Sequence, residues 1–302
     1  MKSFNFNCPG APMSVVSANS ERCVVVGAGI VGTAKGRALL DRGHIVNFVD
    51  ASPMRCRELA QMGMAGSTSF EVNTLSTIYF ICVPTPADEG GYDTSILTQV
   101  LRDLGSSMTS SSARHLIVLC STVSPLTTQL VAIPTLEAAS KSSHGVGFDF
   151  ATMPEFLRSH RAYEDALSPW MTVIAAPNLV ARERLHSLFE SYGGEIRMSE
   201  RYEVAELAKV THNAYNASKI SFFNEIYQLA QMLEIDGNEV SEIVSHSAEA
   251  STNRAYGIRG GQPFSGHCLP KDLDGIIAFA KEIGVDTPVL NATRETNQAL
   301  GG

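Results

Sequence analysis

Four groups of residues are spaced for chemistry. Gly27, Gly29 and Gly32 form a G-x-G-x-x-G turn directly after the β-branched run Cys23-Val-Val-Val. The first glycine of such a turn permits a tight reversal, the second lets backbone approach a pyrophosphate, and the third lets helix pack on strand. The helix that follows offers amides and the positive end of its dipole. Asp50 ends the next apolar run 23 residues after Gly27, where a carboxylate accepts from ribose hydroxyls. That carboxylate repels a 2′-phosphate and favours NAD over NADP, against the neighbouring charges of Arg55 and Arg57.

The other three groups concern bond making. Cys268 lies in a Gly/Pro-rich loop, Pro263 to Asp272, beside Lys271 and an expected helix start, a setting that lowers a thiol's pKa and makes it nucleophilic. Asp272, four residues on, is placed to orient a water or a base. Lys209, Asn213 and Asn216 follow i, i+4, i+7 spacing and share one helix face, which either meets solvent or lines a site. Glu155, in Met153-Pro-Glu-Phe-Leu-Arg158, is an acid beside apolar neighbours, where a carboxyl pKa rises.

These residues need elements to hold them. Short apolar runs at 23–27, 44–50, 77–83 and 115–120 read as strands, with helical segments between them, the first over 33–42. Near-continuous apolar strands suit a parallel sheet buried on both faces, and β/α alternation implies a doubly wound α/β domain. It is expected to close near residue 200, after the run beginning at Trp170 and a further helix. Residues 202–233 contain neither Gly nor Pro and repeat apolar positions at helical spacing. A helix of about 30 residues spans about 45 Å. The expected organisation is a flexible lead-in at 1–21, an NAD-binding Rossmann-like domain at 22–201, and a central helix with a small helical domain at 202–302.

Composition narrows the function classes. The 302 residues are 44% hydrophobic and 18% charged with a net charge of −8, which argues against disorder and against a basic nucleic-acid or membrane surface. No apolar run reaches the roughly 18 residues of a membrane helix. The first 21 residues lack a continuous apolar stretch and do not read as a signal peptide. The six cysteines, at 8, 23, 56, 82, 120 and 268, form no CxxC or CxxH pair. No metal site or disulfide framework is expected, and the compartment reads as reducing and cytoplasmic.

Six motifs then occur in one order: GAGIVG (27–32), ICVPTP (81–86), STVSPLTT (121–128), MPEFLR (153–158), AELAKVTHNAYNASKISFFNE (205–225) and GHCLPKD (266–272). From about residue 22 to 300 the chain resembles the UDP-glucose/GDP-mannose dehydrogenase family. The resemblance implies a four-electron oxidation of a sugar, nucleoside or nucleotide-sugar primary alcohol. It proceeds through an aldehyde and a cysteine thioester to a carboxylate, with NAD as cofactor. It assigns the nucleophile to Cys268, oxyanion stabilisation to Lys209 with Asn213 as hydrogen-bonding neighbour, water placement to Asp272 and Thr122, and general base chemistry to Glu155. Cofactor contacts are expected at Gly27, Gly29, Ile30, Val31, Gly32, Asp50, Val83, Pro84, Thr85, Ser121 and Thr122. It also implies a homodimer built on the central helix.

Three departures accompany the resemblance. Ser159 stands where a second family glutamate is common, and Pro84 and Leu126 stand where glycines are common. The sequence also stops where the family's nucleotide-sugar-binding domain would begin, which leads to an expectation of a smaller substrate or of a site completed by a partner copy. Two rival functions are a redox-neutral dehydratase or epimerase that borrows and returns a hydride, and a non-catalytic dinucleotide-binding module. The retained Cys268 argues against the first, which needs no thioester, and retention of Lys209, Asn213, Cys268 and Asp272 together argues against the second.

Overall fold

The computed structural model describes residues 20–71, 74–88, 91–253, 255–257, 260–266 and 268–301. The expected lead-in, apart from Ser20 and Glu21, lies outside the described residues, as does Cys8. The chain divides into two compact units, the first running to Val210 and the second starting at Thr211.

The first unit begins β1 (Arg22–Val26), α1 (Ile30–Asp41), β2 (Ile45–Val49), α2 (Pro53–Gln61), β3 (Ala65–Ser67) and β4 (Ile78–Ile81). A two-stranded ribbon, β5 (Ala87–Asp88) and β6 (Gly91–Tyr92), leads to α3 (Ser95–Met108) and β7 (His115–Leu119). Then follow α4 (Ile133–Ser140), β8 (Phe148–Thr152), α5 (Ala162–Leu167), β9 (Met171–Ala175), α6 (Leu179–Phe189) and β10 (Glu195–Ser199). Eight strands form one sheet in the order β10-β9-β8-β7-β4-β1-β2-β3. β4, β7 and β8 are buried along their whole length, as apolar strands covered on both faces must be.

Two features differ from the sequence expectation. α1 starts at Ile30, three residues earlier than the apolar pattern suggests, because Gly32 belongs inside the helix. A Cβ there would stand 1.9 Å from the Gly27 carbonyl oxygen, so only glycine allows this helix to sit so close to the turn. The sheet is also mostly, not wholly, parallel: six of its seven pairings are parallel, while β8 meets β9 antiparallel at Thr152 and Ala175. Because β8 runs parallel to β7, the residues that leave it, 153–159, start at the carboxyl edge of the sheet, where open α/β sheets bind ligands.

α7 (Tyr202–Met232) is one continuous helix of 31 residues. The second unit adds α8 (Gly237–Ser247), α9 (Leu269–Glu282) and α10 (Pro288–Ala299). The buried Glu225 carboxylate accepts from the Val289 and Leu290 amides at 2.5 and 3.2 Å, satisfying donors at the start of α10. Among the described residues no helix is long and apolar enough to cross a membrane.

Candidate active site

The site starts at the glycine turn. Gly27 has φ +88°, and a Cβ there would lie 2.6 Å from the Cys82 carbonyl oxygen, so a side chain is excluded twice over. Gly29 is the N-cap of α1, with open space where its side chain would be and no side chain capping the helix. That end of α1 is open to an anionic group, with Ile30 61% exposed at its mouth. Asp50 accepts from the Ala28 amide at 2.7 Å and from the Ser52 amide at 2.9 Å, one bond to each oxygen. It thus ties the turn to β2, and a carboxylate, with about four acceptor sites, retains capacity for sugar hydroxyls.

Arg55, which the sequence left as a competing charge, is committed to the turn. It donates to the Ala28 carbonyl at 2.6 Å and to Thr33 Oγ1 at 2.8 Å, and it pairs with Glu58 at 2.5 Å. An open helix end, a side-chain-free approach and a carboxylate whose neighbouring cation is already matched fit NAD.

Above the turn lies a cavity of about 400 Å³. Gly29, Ile30, Val31, Val83, Pro84, Thr85, Ser121 and Thr122 line it from the ends of β1, β4 and β7. Gly27 and Gly32 do not line it; they act below, by setting the turn. The two loops are cross-tied, since Ser121 Oγ donates to the Val83 carbonyl at 2.7 Å and Thr85 Oγ1 to the Thr122 carbonyl at 2.5 Å. Glu155 and Lys209 line the same cavity, brought there by the turn after β8 and the first turns of α7.

Lys209 is half-buried with its ammonium 5.4 Å from the centre of the Phe156 ring. Burial pulls its pKa below the ordinary lysine value, and the nearby Glu155 charge partly restores it. Glu155 is far from a surface carboxylate. Its Oε1 stands 2.5 Å from the ammonium of Lys35, a buried lysine on α1.

Lys35 was not singled out from the sequence. Its one signal is that it is the lone cation in the otherwise small and apolar stretch 30–36. Glu206 was missed as well. It is buried and accepts from the amides of Leu126 at 2.7 Å and Thr128 at 2.8 Å and from Thr128 Oγ1 at 2.6 Å. It holds the loop that follows Thr122, and its signal is an acid three residues before Lys209. That loop contains Leu126 at φ +76°, a left-handed conformation that glycine adopts without strain. The departure noted in sequence is therefore a conformational one.

Asn213, Cys268 and Asp272 belong to the second unit. Cys268 is an exposed free thiol at the N-cap of α9, and the Asp272 amide donates to its carbonyl at 2.9 Å, one helical turn on. Lys271 has its ammonium against Asp272. Asn213 is exposed on α7, one turn beyond Lys209, and Asn216 meets His212 at 3.2 Å. Thus Glu155, Thr122 and Lys209 share one cavity in the first unit, while Cys268 and Asp272 share one helix end in the second.

Two family models match: the NAD binding domain of the UDP-glucose/GDP-mannose dehydrogenase family over residues 59–193, and that family's central domain over 203–299. The chain is 33% identical over 298 residues to the GDP-mannose 6-dehydrogenase of Pseudomonas aeruginosa, spanning 91% of this chain and 68% of that protein. It is 30% identical over 297 residues to a UDP-glucose 6-dehydrogenase of Haloferax volcanii, spanning 90% and 68%. Among solved structures, a ternary complex of GDP-mannose dehydrogenase from Pseudomonas aeruginosa superposes with a TM-score of 0.85 at 32% identity, covering 92% of this chain and 69% of that one. A UDP-glucose dehydrogenase from Pyrobaculum islandicum gives 0.68 at 27% identity, covering 96% and 70%. This chain belongs to the UDP-glucose/GDP-mannose dehydrogenase family and is an NAD-dependent dehydrogenase of that type.

Proposed function

We infer that the chain oxidises the primary alcohol of a nucleotide-linked sugar to a carboxylate. The observation that carries the reading is the shared cavity: a half-buried ammonium, Lys209, and a carboxylate, Glu155, edge the same space as the dinucleotide turn. The substrate class is taken from relatives that act on GDP-mannose and UDP-glucose. NAD, which the turn at 27–32 and Asp50 would hold, would supply the hydride acceptor for both oxidations.

The chain's residues do the rest. Lys209 stabilises negative charge on the reacting oxygen, with Asn213 as a further donor. Cys268 Sγ adds to the aldehyde carbon and later leaves as thiolate, a task suited to an exposed thiol at a helix N-terminus. Thr122 and Asp272 orient water, and Glu155 takes its proton as the water oxygen bonds the acyl carbon. The reaction runs in the cytoplasm, in keeping with the free state of all five described cysteines. The chain acts as a homodimer through α7, where residues 213–221 are exposed on every face and include Tyr215 and Ile220.

The test is to incubate the protein and NAD with GDP-mannose or UDP-glucose and to follow NADH and product mass together. Two NADH per carboxylate support the reading. Product without NADH points to the redox-neutral alternative, and no product from nucleotide sugars but turnover of a free sugar or nucleoside moves the substrate class. Sedimentation velocity tests the dimer, which a charge at Ile220 should dissociate.

A further inference from the structure

We propose that Lys35 is a positioning residue for Glu155: it clamps one carboxylate oxygen from inside the protein, so that the group keeps one orientation and shows its other edge to the cavity. This rests on the reading of Glu155 as the base of the final hydrolysis.

Lysine is almost never fully buried unless paired. Lys35 is 5% exposed, with its ammonium 5.0 and 4.7 Å from the centres of the Phe80 and Phe189 rings, whose electron-rich faces favour a cation. The titratable groups around it come from each packed element: Cys23 on β1, Cys82 after β4, Cys120 after β7, Tyr192 after α6, and Glu155 after β8. Burial pushes the Cys23 thiol up to about 12 and raises Cys120 and Tyr192 as well, so these three are neutral at pH 7. Glu155 is the anion that matches the lysine. Burial pulls the Lys35 pKa down, but Glu155 more than offsets this and leaves it above the ordinary lysine value. The cation is therefore permanent across the range in which an enzyme works.

The geometry on the Glu155 side is one-sided. Oε1 is shut off from solvent, and the Lys35 ammonium 2.5 Å away is what fixes it. The Glu155 side chain is nevertheless 15% exposed, and that exposure lies on atoms other than Oε1. Lys209 faces Glu155 as a second positive charge. The two lysines differ in kind: Lys35 is buried and held charged, whereas Lys209 borders the cavity and has a lowered pKa.

A clamped carboxylate is a ready base. In the hydrolytic step a water proton passes to Glu155, the water oxygen bonds the thioester carbonyl carbon, and the C–S bond breaks with its electron pair returning to Cys268. Without Lys35, the carboxylate loses the contact that fixes Oε1 and is free to swing.

The experiment uses K35M, which removes the charge and keeps the volume. The expected result is that carboxylate release in single turnover falls about tenfold while the hydride transfers, read as NADH formed, change by less than about twofold. NAD affinity, read by fluorescence quenching, should stay within about twofold of wild type. Isotope-edited infrared spectra, with the Glu155 band assigned by E155Q, should show a single narrow band in wild type and a shifted, broadened one in K35M. Carboxylate release and an infrared band superimposable on wild type in K35M overturn the proposal. If instead E155Q leaves carboxylate release unchanged, the base reading fails, while the infrared band still decides whether Lys35 fixes the group.

Discussion

In the first unit the sheet encloses its interior and every charge drawn inside meets a partner. Lys35 meets Glu155, Arg114 meets Asp149, Arg158 meets Asp165, and Glu206 meets the Leu126 and Thr128 amides. In the second unit the buried apolar set is small, with Leu229, Ala230, Ile277, Ala280 and Leu290 at its centre, and residues 213–221 of α7 are exposed on every face. Apolar burial contributes roughly 25 cal/mol per Å², so the sheet unit has the means to hold a site rigidly, whereas the helical unit gains much from a covering surface. Burial raises the Cys23 and Cys120 thiols and makes them inert, whereas Cys268 stands exposed at a helix end. Rigid positioning and accessible reactivity are thus assigned to different regions.

The comparison is broken most severely at Cys268. The Cys268→Ser variant should lower acid formation by about a thousandfold or more while NAD affinity stays within about twofold, because the residue belongs to the second unit and the dinucleotide turn to the first. Acid output near wild type would remove the nucleophile from that unit.

A pair of identical substitutions sharpens the contrast. Gly32→Ala drives a Cβ to 1.9 Å from a carbonyl oxygen and should destabilise the first unit by about 3 kcal/mol in urea unfolding, with NAD binding lost alongside. Gly275→Ala, in the middle of α9 with nothing within 4 Å of the added carbon, should instead stabilise the second unit by about 1 kcal/mol. Equal effects in both places would mean the two units are not packed differently.

Lys209 supplies a pH test. Its folded pKa lies below the ordinary 10.5 because burial disfavours the charge, so the ammonium is lost at lower pH than for an exposed lysine. The alkaline limb of the rate profile should therefore fall below pH 10.5, and Lys209→Arg, charged throughout, should extend activity to higher pH. An unchanged limb in that variant would assign the limb to another group. The smallest effect is expected at Leu126, where glycine relieves the left-handed strain at φ +76° and should raise the first unit's stability by about 1 kcal/mol, read as a shift in the unfolding midpoint.

Much of this architecture is local and so was legible. The glycine spacing, Asp50 at the end of a strand and the long Gly- and Pro-free segment depend on residues near one another in the chain, and they place the turn, the Asp50 carboxylate and α7 within a few residues of where they stand. Other features had no local mark. β8 and β9 are both apolar, and nothing in their composition says that they meet antiparallel. β10 alternates charged and apolar residues as an edge strand does and passes without signal. Lys35 and Glu155 are 120 residues apart and look, separately, like a helix-surface lysine and a loop acid.

By itself the sequence determined the elements, the cofactor turn and the kinds of groups available for chemistry, because backbone preference and hydrophobic period act over a few residues. Only the tertiary structure decided which charges are buried against each other, because desolvation and Coulomb attraction depend on distance through space. That is why the Glu155 carboxylate is read from sequence as a solitary acid, while in the folded chain it is one half of an ion pair with Lys35.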